Sequence, residues 1–290
     1  MTISSLLRFV PLQLCLFASM FFLHGCVPMP QDALNDLPPA AQADVPPYQG
    51  LEPGHKTYET AHFLIKAYTT ETAVAQSVIC EAAYSRIMND LGLYSFAPAK
   101  PYNVYVYKDR DEYLRDEYVK KTKSEWTGGM VYGNAILIYE SEGSAAVLTH
   151  EMTHLIFNEF MGLANSVDFK WVNEGVAVYE ESRTSAVSRA AYSQRFSSMV
   201  SPNPIPFSQM VTLAPQGEQQ TGAVERWYAQ AGSAVAFMIK EGGTLGFSIF
   251  ITRLKAGDTM DAAVGAAFPG LWQNMREMEK AWLLYNSSGF

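Results

Sequence analysis

The chain is poor in the residues that mark several common classes. It has 3 cysteines in 290 residues. Cys15 and Cys26 belong to the N-terminal apolar stretch and its end, which leaves Cys80 alone in everything that follows. A disulfide framework is therefore excluded, and the fold must rest on its core or on another kind of cross-link. Cys80 itself falls in the apolar pattern of a helix, where packing is role enough. Charged residues make up only 17%, the net charge is −8, and no basic cluster or stacking platform stands out. That argues against nucleic acid as a partner. No internal repeat is visible, so solenoid architectures drop out. Histidine is scarce too, at 5 residues, yet two of them, His150 and His154, stand one helical turn apart. What the chain does have is apolar mass: 48% hydrophobic residues suit one sizeable globular domain.

The N-terminus reads as an export signal over residues 1–25. Arg8 supplies a short positive region, and Phe9–Leu23 is an apolar stretch of 15 residues broken by Pro11, Gln13 and Ser19. That is short for a membrane-spanning helix and right for a signal core. The stretch ends in Leu23-His24-Gly25-Cys26, which resembles a bacterial lipobox, with His24 where a small residue is usual. The resemblance implies acylation of Cys26 and a membrane partner through a lipid anchor. In enteric lipoproteins, which the stretch resembles, an Asp after the Cys goes with inner-membrane retention, so Val27 there implies an outer-membrane site facing the periplasm. An ordinary signal peptide or an uncleaved anchor is the alternative. Residues 26–54, with Pro28, Pro30, Pro38, Pro39, Pro46, Pro47 and Pro53, read as an extended linker, and the folded domain as 55–290.

Within the domain, Tyr58–Thr69 reads as a strand and Glu71–Leu91 as a helix, with Val74, Val78, Ala82 and Ile87 among its apolar positions and Gly92 as its cap. Tyr102–Tyr107 alternates as a strand. Asp109–Lys121 reads as a charged surface helix after an Asp cap. The glycine-rich run Thr127–Asn134 predicts a bend or a close backbone approach, and Ala135–Tyr139 a strand. Beyond Glu181 the pattern is helical: 183–200, then a break at Pro202-Asn203-Pro204-Ile205-Pro206, a loop at 211–223, and helices at 226–240, 244–255, 259–267 and 272–285.

The chemistry concentrates in His150-Glu151-Met152-Thr153-His154. On a helix, positions i and i+4 share a face, so both imidazoles can converge on one cation. Catalytic zinc takes three protein ligands and an open position, and a His, His, Glu set is one such arrangement. Glu151 points about 100° further round the helix, toward the same cleft, where a general base is needed. Glu174 follows His154 after 19 intervening residues, inside Trp171-Val172-Asn173-Glu174-Gly175. Two antiparallel helices would return it to the histidine pair. The first helix is apolar nearly all round, from Val147 and Leu148 to Phe157 and Phe160, so it is buried, and buried histidines need partners. A solvated helix with two uninvolved histidines fits this pattern poorly.

These residues resemble the gluzincin zinc peptidases, and most of all the peptidase MA-like group of bacterial envelope proteins, with thermolysin and the aminopeptidase N family as distant relatives. The likeness spans about 60–285. It implies a zincin-like α+β fold: a small N-terminal mixed β-sheet with an edge strand over the cleft, then a mainly helical C-terminal half. It implies one zinc ion held by His150, His154 and Glu174, with Glu151 as general base and a peptide or protein substrate, in an endopeptidase. Tyr228, 54 residues beyond Glu174, stands where aminopeptidase-like relatives carry an oxyanion-stabilising Tyr. Glu181, seven residues after Glu174 on the same helix face, is a candidate acid to orient a ligand histidine, a solvated Glu180 and Glu181 pair being the alternative. Gly129, Met130 and Tyr132 fall on the strand that pairs with substrate in gluzincins, an ordinary hairpin being the even alternative. No acid occurs in 127–135, so nothing supports aminopeptidase specificity. A reading from another class is a zincin-fold envelope lipoprotein that binds partners with little turnover. Oligomeric state is not legible.

Overall fold

A computed structural model describes residues 50–121, 128–162, 169–212 and 221–287. The signal, Cys26, the linker up to residue 49 and positions 213–220 of the loop expected at 211–223 lie outside the described residues.

The protein is α+β, a small mixed sheet followed by helices. A hairpin comes first, β1 (Lys56–Glu59) and β2 (Phe63–Ala67), where the sequence suggested a single strand from Tyr58. The chain turns at Thr60, whose N–H donates to the Phe63 carbonyl at 2.9 Å while its hydroxyl accepts from the Phe63 N–H at 3.1 Å. Helix α1 (Thr70–Asp90) begins on the Thr69 hydroxyl, which accepts from Thr72 N at 3.0 Å. It ends as expected at Gly92, whose φ of 63° suits the left-handed cap.

The buried stripe of α1 is only in part the expected one, at Cys80 and Ile87. Ala73, Cys80, Ala83 and Ile87 face the core, while Val78 is 67% exposed and Val74 and Ala82 also face outward. Hydrophobicity alone misplaced the face because small residues, which let the helix lie close to the sheet, occupy the true one.

Strand β3 (Tyr102–Tyr107) matches its expected range. The expected helix at 109–121 is two short ones, α2 (Arg110–Arg115) and α3 (Glu117–Lys121). Asp116 takes an extended conformation between them, and its carboxylate caps α3 by accepting from Tyr118 N at 2.8 Å. This segment is more than a charged surface: Glu112 is buried and accepts from Lys108 N at 3.0 Å and from the Tyr68 hydroxyl.

Strands β4 (Gly129–Tyr132) and β5 (Ala135–Tyr139) form a hairpin with a tight turn at Gly133 and Asn134. The order is β1-β2-β3-β5-β4, with β2, β3 and β5 parallel and the outer two strands antiparallel to their neighbours. The glycine run is therefore a hairpin, and its first strand ends the sheet. Side chains alternate across the sheet. Val104, Val106, Ile136 and Ile138 face the main core, whereas Tyr105, Tyr107 and Leu137 face an outer, tyrosine-rich cluster that also takes in Leu51.

Helix α4 (Ser144–Met161) follows, then α5 (Lys170–Ser182), α6 (Ala186–Arg195) running into a π-helical turn at Phe196–Val200, and α7 (Phe207–Met210). Arg183 closes α5 and Ser185 caps α6, so the helix expected from 183 starts later. Helix α8 (Thr221–Lys255) covers two expected helices and kinks between them at Gly243, where φ is 73°. Helices α9 (Met260–Ala267) and α10 (Met275–Ser287) complete the fold.

Candidate metal centre

Every residue of α4 from Leu148 to Phe157 is buried. A helix wholly inside the protein can carry histidines and acids only if each finds a partner. Its ends are tied down on two sides. Glu159 accepts from the Tyr102 hydroxyl of β3 at 2.6 Å and from Ala99 N at 2.9 Å. The Lys255 ammonium donates to the Phe160 carbonyl at the end of the helix. Near its start, glycines let β4 approach: a Cβ on Gly128 or Gly129 would meet Val147 at 2.7 Å.

Helix α5 packs between α4 and α8, and Gly175 sets how closely. A Cβ there would lie 2.7 Å from the Ala231 carbonyl of α8. On its far side α5 is clamped to α1 by charge. Arg86 donates from Nε to Glu180 Oε2 at 2.8 Å, and Arg183 pairs with Asp90. Glu180 is fully buried.

These contacts bring His150, His154 and Glu174 together. One donor atom from each lies within 4.8 Å of the others, and all three residues are buried. The two Nε2 atoms are 3.1 Å apart. Glu174 Oε2 is 3.3 Å from His154 Nε2 and 3.9 Å from His150 Nε2, yet it makes no hydrogen bond. Each Nδ1 is occupied elsewhere: His150 by Glu181 Oε2 at 2.9 Å, His154 by Asn173 Oδ1 at 2.8 Å. A carboxylate and an amide oxygen only accept, so each Nδ1 carries a proton. The neutral rings then present bare Nε2 lone pairs to each other and to a buried carboxylate oxygen. Such a cluster of acceptors is unfavourable without a positive charge among them, and a metal cation fits it.

The protonation equilibria say the same. Burial should depress His154, but the Glu174 carboxylate, aided by Glu151, overrides it and pushes the ring up to about 9. Burial should raise Glu174, but His154 holds it below its ordinary value. In the metal-free protein a proton serves as the missing cation.

A sequence model of the Peptidase MA superfamily matches residues 80–285. The chain belongs to the Peptidase MA superfamily. Membership suggests a metallopeptidase-type hydrolase acting on peptides or proteins, and the buried His, His, Glu group is one that could bind the metal. No curated protein matches the chain.

The other residues singled out from the sequence are placed as follows. Glu151 is buried on α4, one position after His150. Glu181 meets His150, as given above. Tyr228 is buried in the first half of α8, its ring 5.2 Å from that of Trp227, one turn before the Ala231 that touches Gly175. Gly129 lies against α4, but Met130 and Tyr132 point the other way. Alternation along β4 turns them into the outer cluster, where the Tyr132 ring lies 4.2 Å from that of Tyr118. Val131, which the sequence reading passed over, faces the main core beside α4. Two further residues were missed as site components: Asn173, noted only as part of the motif, and Asn158, whose Oδ1 accepts from Asn173 Nδ2 at 2.9 Å. The signal for Asn173 was available, since a ligand histidine needs a partner for its second nitrogen.

Proposed function

We propose that the protein is a zinc-dependent endopeptidase of the bacterial cell envelope, anchored by lipid at Cys26. The convergence of His150, His154 and Glu174, buried with Glu151 beside them, carries the peptidase reading. The lipobox-like Leu23-His24-Gly25-Cys26 and the proline-rich segment after it support the envelope location.

Two nitrogens and one carboxylate oxygen suit zinc, and leave room for the water and substrate that catalysis needs. The ion, when bound, acidifies water and polarises the scissile carbonyl. The chain's residues do the rest. Glu151 takes a proton from the attacking water and delivers it to the leaving amide nitrogen. Glu181 and Asn173 hold the histidine rings so that Nε2 faces the ion. Tyr228 donates its phenolic hydrogen to the developing oxyanion. Strand β4 offers backbone to an extended peptide, with Gly129 and Val131 on the side of α4 and Met130 and Tyr132 contributing through their backbone.

The test is metal content together with cleavage of a mixed peptide library, for the wild type and Glu151→Gln. Both should bind one zinc ion, and only the wild type should cleave. Zinc without cleavage in either protein would move the assignment to a non-enzymatic envelope factor. Well-folded protein without zinc would remove the metal site.

A further inference from the structure

We propose that Asn158 is a positioning residue for the metal-binding nitrogen of His154, acting through the side-chain amide of Asn173. The proposal builds on the metal-site reading above. The two histidines are held differently. His150 bonds a carboxylate, Glu181, which can only accept and therefore leaves no choice of tautomer. His154 bonds a neutral amide, which has a donor end and an acceptor end. Were Asn173 turned end for end, its NH2 would face Nδ1. The ring proton would then sit on Nε2, pointing at the place a metal must occupy.

Asn158 holds the other end of that amide. It lies one turn after His154 on the same face of α4, so Asn173 from α5 bridges two successive turns. The Asn158 oxygen takes the Asn173 NH2 at 2.9 Å, which leaves the Asn173 oxygen for His154 at 2.8 Å. With the Asn158 oxygen toward it, the Asn173 amide is held in the one orientation that keeps the His154 proton on Nδ1. Aspartate at 158 accepts only, and so enforces the same orientation. Leucine there offers no acceptor and releases the amide.

The experiment uses the full chain as wild type, Asn158→Leu and Asn158→Asp. Ring 15N signals of His154 are recorded without metal, at a pH where the ring is neutral, and zinc affinity is measured by chelator competition. Wild type and Asn158→Asp should show a single Nδ1–H tautomer. Asn158→Leu should show mixed tautomers and bind zinc about tenfold more weakly, with an unchanged circular dichroism spectrum. Wild-type tautomer and affinity in Asn158→Leu would overturn the proposal. Should the leucine variant not fold, weaker zinc binding by folded Asn158→Asp would overturn it equally. If even the wild type binds no zinc, the metal-site reading fails, while the ring signals still decide the role of Asn158.

Discussion

Between His150, His154 and Glu174 there is one place that a proton or a metal could fill. Without metal, this sets a pH dependence of stability whose sign can be worked out. His154 rises from 6.5 to about 9 on folding, so its contribution is complete below 6.5 and lost as pH climbs through about 9. Glu174 is depressed below 4.5, so its contribution is present above 4.5 and lost as pH falls through its lower folded value. Denaturant midpoints of the metal-free protein should therefore decline on the alkaline side toward about 9. Metal affinity should rise over that same interval, because binding displaces the proton. The grouping of His150, His154 and Glu174 was legible in the sequence because i, i+4 spacing and the Asn-Glu-Gly stretch are local. The amide relay through Asn158 was not, since it depends on which turn of α4 faces α5.

At the level of elements, α5 is located by a glycine on one side and by buried charge on the other. In Gly175→Ala the new Cβ would press on backbone, the Ala231 carbonyl, and not on a flexible side chain. The variant should lose about 1–3 kcal/mol in chemical denaturation and bind metal more weakly, as α5 carries Glu174 with it. The Arg86–Glu180 pair predicts a pH-dependent cost. Burial and the nearby Asp90 push Glu180 up to about 7, with Arg86 pulling against them. A carboxyl with a raised folded value loses its stabilising share as pH rises through that value. Arg86→Met should thus cost little near pH 5, where Glu180 is neutral, and about 1–2 kcal/mol near pH 8, where Glu180 loses its partner and must take up a proton. Neither clamp could be read beforehand. Glu180 and Glu181 look alike in sequence, yet one faces α1 and the other His150. The same limit explains α1, whose true face carries Ala73, Ala83 and Cys80 and not the larger Val74 and Val78.

For the molecule as a whole, the candidate metal site joins the helical half to itself: α4 and α5 meet there, and α8 braces α5. A ligand that binds only the folded state stabilises it by mass action. Zinc at a thousand times its dissociation constant should add about 4 kcal/mol. Chelation should lower the melting temperature, and zinc should restore it; an unchanged melting curve would place the ion outside the fold. The division into a sheet and a helical half was readable, because strand alternation and helical periodicity differ. The splitting of 58–69 into a hairpin and of 109–121 into two helices was not, since each break rests on a single side chain, Thr60 or Asp116, bonding to backbone.

Cys80 lies at the centre of α1, fully buried, and burial pushes its thiol far above the usual range. It is the only cysteine among the described residues. An alkylating reagent can reach that sulfur only when α1 leaves the sheet. The chain therefore carries its own clock for opening: the rate at which Cys80 is labelled counts how often the core is breached.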